Sequence, residues 1–203
     1  AQNTGMVVAF QNVPANGKRT VNDKPKSGAV LLADNPFVAA SKLDLHAPEF
    51  DAIRVEHFLP AFMAGIAEQL DEMKTIAGRS ESPTFANTIV AYEESGALLT
   101  RVQQVFSNLT SANTNKYLQS IQKELAPLLA AHSDNILLNR QLFERVEKLY
   151  ESRESLQLTG EQQEVLRRQY EDFVRAGARL TEEKQNRIRS LNEQLSKLQT
   201  EFR

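Results

Sequence analysis

Three histidines, His46, His57 and His132, are the residues best suited to metal or acid–base chemistry in this chain. A helical zinc peptidase site needs two histidines one turn apart, so that both imidazoles face one metal, with a Glu between them as general base. No pair here has that spacing. Glu56-His57 runs on into Phe58-Leu59-Pro60-Ala61, so the second imidazole is missing. His132 stands two residues before Asp134, a carboxylate able to orient its ring, although such a histidine more commonly closes a helix end or satisfies a buried carbonyl. Cysteine is absent, which removes disulfides, thiolate metal sites and Cys–His nucleophiles. Neither a Gly-x-Ser-x-Gly elbow nor a Gly-x-x-x-x-Gly-Lys phosphate loop occurs. The adjacent carboxylates Glu93-Glu94 and Glu182-Glu183 splay apart on a helix and read as solvated charge. The sequence therefore assigns no catalytic residue, no cofactor-binding residue and no metal ligand.

The elements that would position such residues divide the chain in two. Residues 1–34 carry Gly5, Gly17, Gly28, Pro14 and Pro25, with many Asn and Lys and no helical period. They read as an extended leader, in which the apolar runs Met6–Phe10 and Ala29–Ala33 are candidates for a short strand pair. Residues 35–203 form the second part. Asn35-Pro36-Phe37 opens a connecting segment, and helices then follow one another. The first is expected over 55–77, with Pro60 tolerated in its first turns and Gly78 just past its end. The stretch from Pro83 to Asn115 reads as one long amphipathic helix capped at Asn87, with Ile89, Leu98, Leu99, Val102, Val105, Phe106 and Leu109 on its apolar face. A third helix is expected over 115–133, bent at Pro127, a fourth over 140–155 and a fifth over 160–177.

A sixth helix starts at Thr181 and places Ile188, Leu191, Leu195, Leu198 and Phe202 at three- and four-residue steps. That is a narrow apolar seam suited to pairing with another helix. No Gly, Asn or Pro closes it before Arg203, which leads to the expectation that the chain is part of something longer. The fold class is all-α, a bundle of about six helices behind an extended N-terminal arm. The aromatic residues Phe58, Phe62, Phe106, Phe143, Tyr150, Tyr170 and Phe173 lie at helical spacing and read as core formers.

The 203 residues are 41% hydrophobic and 25% charged, ordinary for a globular protein and enough for a sizeable core. The net charge of -2 and pI near 6.0 argue against a nucleic-acid partner, whose phosphates call for a basic surface. From Arg140 to Arg203 there are 13 Lys and Arg against 12 Asp and Glu, interspersed as on a solvated helix face with pairs such as Glu193–Lys197. No apolar run reaches the ~20 residues needed to span a bilayer. The chain begins Ala1-Gln2-Asn3, which fits a mature terminus left by signal removal and favours an exported or periplasmic setting over a cytoplasmic one.

Several segments are distinctive in combination and order: Asn35-Pro36-Phe37, the run HAPEFDAIRVEHFLPAFMAGIAEQ from His46 to Gln69, and PTFANTIVAYEESGALLTRVQQVFSNLTSANTN from Pro83. They are followed by LAPLLAAHSDNILLN from Leu125, LFERVEKLYESRESL from Leu142 and YEDFVRAGARL from Tyr170. In these segments the chain resembles the N-terminal helical region of the M3 family of zinc oligopeptidases, in its bacterial peptidyl-dipeptidase and oligopeptidase A branch. The resemblance implies an almost wholly helical fold with two lobes flanking a deep channel. It also implies zinc bound by a His-Glu-x-x-His motif that lies well beyond position 203, so no catalytic or metal residue carries over to this chain. On this basis the chain is expected to form one side of the substrate channel of a peptidyl-dipeptidase acting on short peptides. It would be inactive without the C-terminal catalytic domain, which is its expected partner, and zinc is expected only in the full-length protein. The alternative is a self-standing helical module that binds a partner protein through the Leu191–Phe202 seam.

Overall fold

The computed structural model describes residues 33–112 and 114–201. The expected leader strand pair lies almost wholly outside them, and only Ala33 and Asp34 of the leader are described. Among the described residues there are six long helices and no strand. The first is α1 (Phe58–Ala77). A short π-helix, Phe85–Val90, then runs into one further turn, Ala91–Glu93, and the two together are α2. The remaining long helices are α3 (Ala97–Ala112), α4 (Lys116–Leu137), α5 (Arg140–Glu151), α6 (Gly160–Ala176) and α7 (Glu182–Glu201).

Side-chain caps set the helix starts. Asn115 accepts from the backbone N–H groups of Tyr117 and Leu118, and Asn139 accepts from that of Leu142. Thr159 and Gln162 cap each other's backbone in a reciprocal box. Each such cap satisfies donors that no earlier residue can reach, and its loss costs about 1 kcal/mol. α6 ends at Gly177, whose φ of 101° returns the chain in the left-handed region.

α1 is long enough to serve two cores. Its first half joins α3 and the start of α4 around Phe58, Phe62, Val102, Phe106, Leu118 and Leu125. Phe37 of the Asn-Pro-Phe segment is the outer rung of an aromatic ladder there, 5.4 Å from Phe58, which lies 5.0 Å from Phe106. The segment is held by Asn35 Nδ2 donating to the His57 carbonyl and by Arg101 donating to the Phe37 carbonyl. α1 and α3 touch at Gly65, where an added Cβ would lie 2.8 Å from the Leu99 nitrogen. The second half of α1 contributes Met73 and Ile76 to a core shared with α2, α5 and α6, centred on Leu142, Val146, Leu149, Leu166 and Phe173.

Four sequence expectations need correction. The helix over Pro83–Asn115 is two helices, because Gly96 takes φ 71° and the chain turns between Glu93 and Ala97. Thr84, not Asn87, caps its start; Asn87 is the partner three residues on, accepting from the Thr84 backbone. α4 continues through Pro127 to Leu137, four residues past the expected end, while α5 stops at Glu151 before a separate turn, Arg153–Ser155. The leucine seam of α7, read as suited to pairing with another helix, lies outside both cores, and this contradicts nothing expected of it: Leu191, Leu195 and Leu198 are each about half exposed. The Glu193–Lys197 pair forms as expected, at 2.6 Å.

Candidate functional site

α1, the α2–α3 turn and α4 meet along one polar seam, and Gln69 of α1 links all three. His132 of α4 donates Nε2–H to Gln69 Oε1 at 2.6 Å. Gln69 Nε2 donates to Ser95 Oγ at 3.2 Å, and the Ser95 hydroxyl donates to the Tyr92 carbonyl at 2.7 Å. Glu72, three residues along α1, accepts the Gly96 N–H at 2.7 Å. Two side chains of α1 therefore fix the turn that separates α2 from α3. A side chain at position 96 would collide with them, since a Cβ there falls 2.4 Å from Gln69 Nε2.

His132 is only 7% exposed, and its Nδ1 is buried without a partner. Burial pushes the imidazole pKa below its ordinary value. The ring is thus neutral near pH 7, with the proton on Nε2 in the bond to Gln69. Asp134 does not orient it; Asp134 Oδ1 instead accepts from Asn192 Nδ2 of α7 at 2.7 Å. Tyr92 is held as the neutral phenol, its pKa raised to about 12 first by burial and then by Glu93 and Asp172. The seam borders a surface pocket of about 290 Å³, lined by Gln69 and His132 themselves together with Tyr92, Thr100, Gln103, Ser133, Leu99 and Leu129. The pocket therefore presents one imidazole and the hydroxyls of Tyr92, Thr100 and Ser133, with no Lys, Arg, Asp or Glu among its lining residues.

A second buried polar residue organises the neighbouring surface. Arg145 of α5 donates to the carbonyls of Arg79 and Glu81 and to Asn87 Oδ1, at 3.0 to 3.1 Å. It thereby ties the α1–α2 connection to α5. Burial, with Arg79 nearby, lowers its pKa from the usual guanidinium value, and Glu81 opposes this.

The other two histidines are far from this seam in role. His46 is exposed and bonds through Nδ1 to the Ser41 carbonyl, while His57 Nδ1 accepts the Arg54 N–H and closes the turn before α1. Among the described residues no three His, Asp or Glu side chains converge as a metal would require. The sequence reading missed Gln69 and Arg145. Both interrupt an apolar helical face, Gln69 among Ile66, Leu70 and Met73, and Arg145 among Leu142, Val146 and Leu149. A polar residue at such a position is the available signal of a buried bond.

The fold and this seam define an all-α assembly whose buried polar groups join helices to one another. No protein-family profile matches the chain. Individual relatives do. A dipeptidyl carboxypeptidase of Salmonella typhimurium is 39% identical over 171 residues, which are 84% of this chain and 25% of that protein. A dipeptidyl carboxypeptidase of Escherichia coli is 39% identical over 168 residues, 83% of this chain and 25% of its own length. An oligopeptidase A of Salmonella typhimurium is 23% identical over 168 residues, 83% of this chain and 24% of its own length. By sequence the chain belongs to the M3 family of dipeptidyl carboxypeptidases and oligopeptidases A. It spans about a quarter of the length of these curated relatives.

Proposed function

We propose that this chain is the N-terminal helical part of a zinc-dependent oligopeptidase and forms part of the wall of its substrate channel. The reaction we infer for the whole enzyme is release of dipeptides from the C-terminus of short peptides. The observation that carries this reading is 39% identity sustained over 84% of the chain against a protein named for that activity. Identity to oligopeptidase A is 23%, which favours dipeptide release over internal cleavage.

The described residues do not fit a zinc site. Their histidines serve a turn, a loop carbonyl and the Gln69 seam, and no carboxylate joins any of them within a ligand cluster. No catalytic step is assigned to them. What this part supplies is a rigid wall, its polar groups bonded inward between helices. A narrow channel walled in this way admits extended peptides and rejects folded ones, selecting by size with little sequence readout.

The test compares two polypeptides on an N-blocked tetrapeptide, with products read by mass spectrometry. The product of the native locus, at its native length, releases a C-terminal dipeptide and loses that activity to a chelator. Residues 1–203 alone cleave nothing and bind no stoichiometric zinc. Cleavage by residues 1–203, or a native product without peptidase activity, refutes the proposal.

A further inference from the structure

α7 is attached to the body by the wrong side for its sequence. Its apolar residues recur at Ile188, Leu191, Leu195 and Leu198, the pattern of a helix that packs through one stripe. Ile188, at the foot of the stripe, is half-buried near Gly177, but the hydrogen bonds that hold α7 come from a neighbouring face. Asn192 Nδ2 donates to Asp134 Oδ1 of α4 at 2.7 Å, and Arg189 donates to Asn135 Oδ1 at 3.2 Å. Gln185 Nε2 donates to the Gly177 and Ala178 carbonyls at the foot of the helix. These bonds set the rotation of α7 about its own axis and turn the leucines outward. Leu191 is 47% exposed, Leu195 52% and Leu198 51%, and no described residue of α7 is buried. Leu180, just before the helix, is also 40% exposed.

The positions flanking the stripe are Arg187, Gln194 and Glu201 on one side and Asn192 and Gln199 on the other, a neutral centre with one charge of each sign at the ends. Such edges suit a helix–helix contact made by apolar packing. With charges of opposite sign, they present no basic stripe to a phosphate backbone. The relatives supply the occupant: in each, the matched stretch is about a quarter of the protein, so a large remainder must pack against it. We propose that the Leu191–Leu195–Leu198 face of α7 seats an amphipathic helix from that remaining polypeptide. This rests on the reading of the chain as part of a longer peptidase. The partner helix carries Leu, Ile, Val or Phe at three- and four-residue steps, with polar residues at its edges.

The chain contains no cysteine, so Leu195→Cys places one unique thiol on this face of residues 1–203, and Leu198→Cys places a second in a separate variant. Both sites are half exposed and tolerate the change without a cavity in either core. Maleimide labelling, followed by peptide mass mapping, is measured in residues 1–203 and in the native-length product carrying the same substitution. The expected result is rapid labelling in residues 1–203 at any protein concentration. In the native-length product labelling is slower by about tenfold or more, the scale of protection given by a packed contact that opens only by local unfolding. Equal labelling in the two overturns the proposal. So does protection in residues 1–203 that grows with concentration, which would make a second copy the occupant. An active native-length peptidase whose Leu195→Cys thiol labels freely sinks this inference and leaves the proposed function standing. A native product no longer than this chain sinks both.

Discussion

Replacing Gly65 with Ala sets two effects of opposite sign against each other. Gly in a helix interior is worth about 1 kcal/mol less than Ala, so on local grounds the substitution stabilises α1. Gly65 is also where α1 meets α3. A Cβ there would lie 2.8, 2.9 and 3.0 Å from the N, Cα and Cβ atoms of Leu99. Two of these are backbone atoms and cannot rotate aside, so the helices must part by several tenths of an ångström. The core around Phe62, Val102 and Phe106 would lose close contact as they do. Overpacking of this kind costs about 1–3 kcal/mol, and rigid neighbours place it in the upper half of that range. The net expectation is a loss of about 1–2 kcal/mol. At this chain length that lowers the melting temperature by about 2–8 °C. Urea unfolding followed by circular dichroism measures the change in midpoint. Gly160→Ala is the matched control: nothing lies within 4 Å of its added Cβ, at the first position of α6. That variant should gain about 0.4–1 kcal/mol. A Gly65→Ala variant as stable as the parent, with the control behaving as stated, would refute the close approach of α1 and α3.

Arg145→Leu removes the donor for three acceptors between residues 79 and 87 and should cost about 2–4 kcal/mol, with amide exchange at 79–88 accelerating more than in α6; unchanged exchange there would contradict its role as the tie between α5 and that connection. His132 has its folded pKa lowered by burial, so its contribution to stability is present above the unfolded value and is lost as pH falls from neutrality through the folded value. Urea midpoints should therefore drop on acidification, and drop less steeply in His132→Gln; parallel slopes would exclude a buried neutral imidazole. Gly177→Ala forces a side chain into φ 101° and against Ile188 at 2.8 Å, so it should cost more than about 1 kcal/mol and expose the link before α7 to limited proteolysis. Proteolytic resistance equal to the parent's would contradict the placement of α7.

The local signals in the sequence were the ones that survived folding. Asn115 and Gly177 mark real helix boundaries because capping is settled by the residue and its near neighbours. The seam that joins the helices was not legible. The break at Glu94–Gly96 depends on Gln69 and Glu72, more than twenty residues earlier, so the apolar period runs through it unmarked. Asp134 looked like a partner for His132 because it is two residues away, but on α4 the two point to different neighbours, one to α1 and the other to α7. The period of α7 correctly identifies a packing stripe. It cannot say that polar bonds from Asn192 and Arg189 hold the stripe away from the rest of the chain. The absence of a two-histidine zinc motif is visible in the residues themselves.

We propose that this sequence is the N-terminal part of a longer M3 peptidase. An immunoblot of the native host, probed with antibody raised against residues 33–201, tests it most directly. The expected result is a single band several-fold heavier than the 22.8 kDa of this chain, consistent with relatives of which it spans a quarter. A dominant band near 22.8 kDa, present under protease inhibition from the moment of lysis, would contradict it.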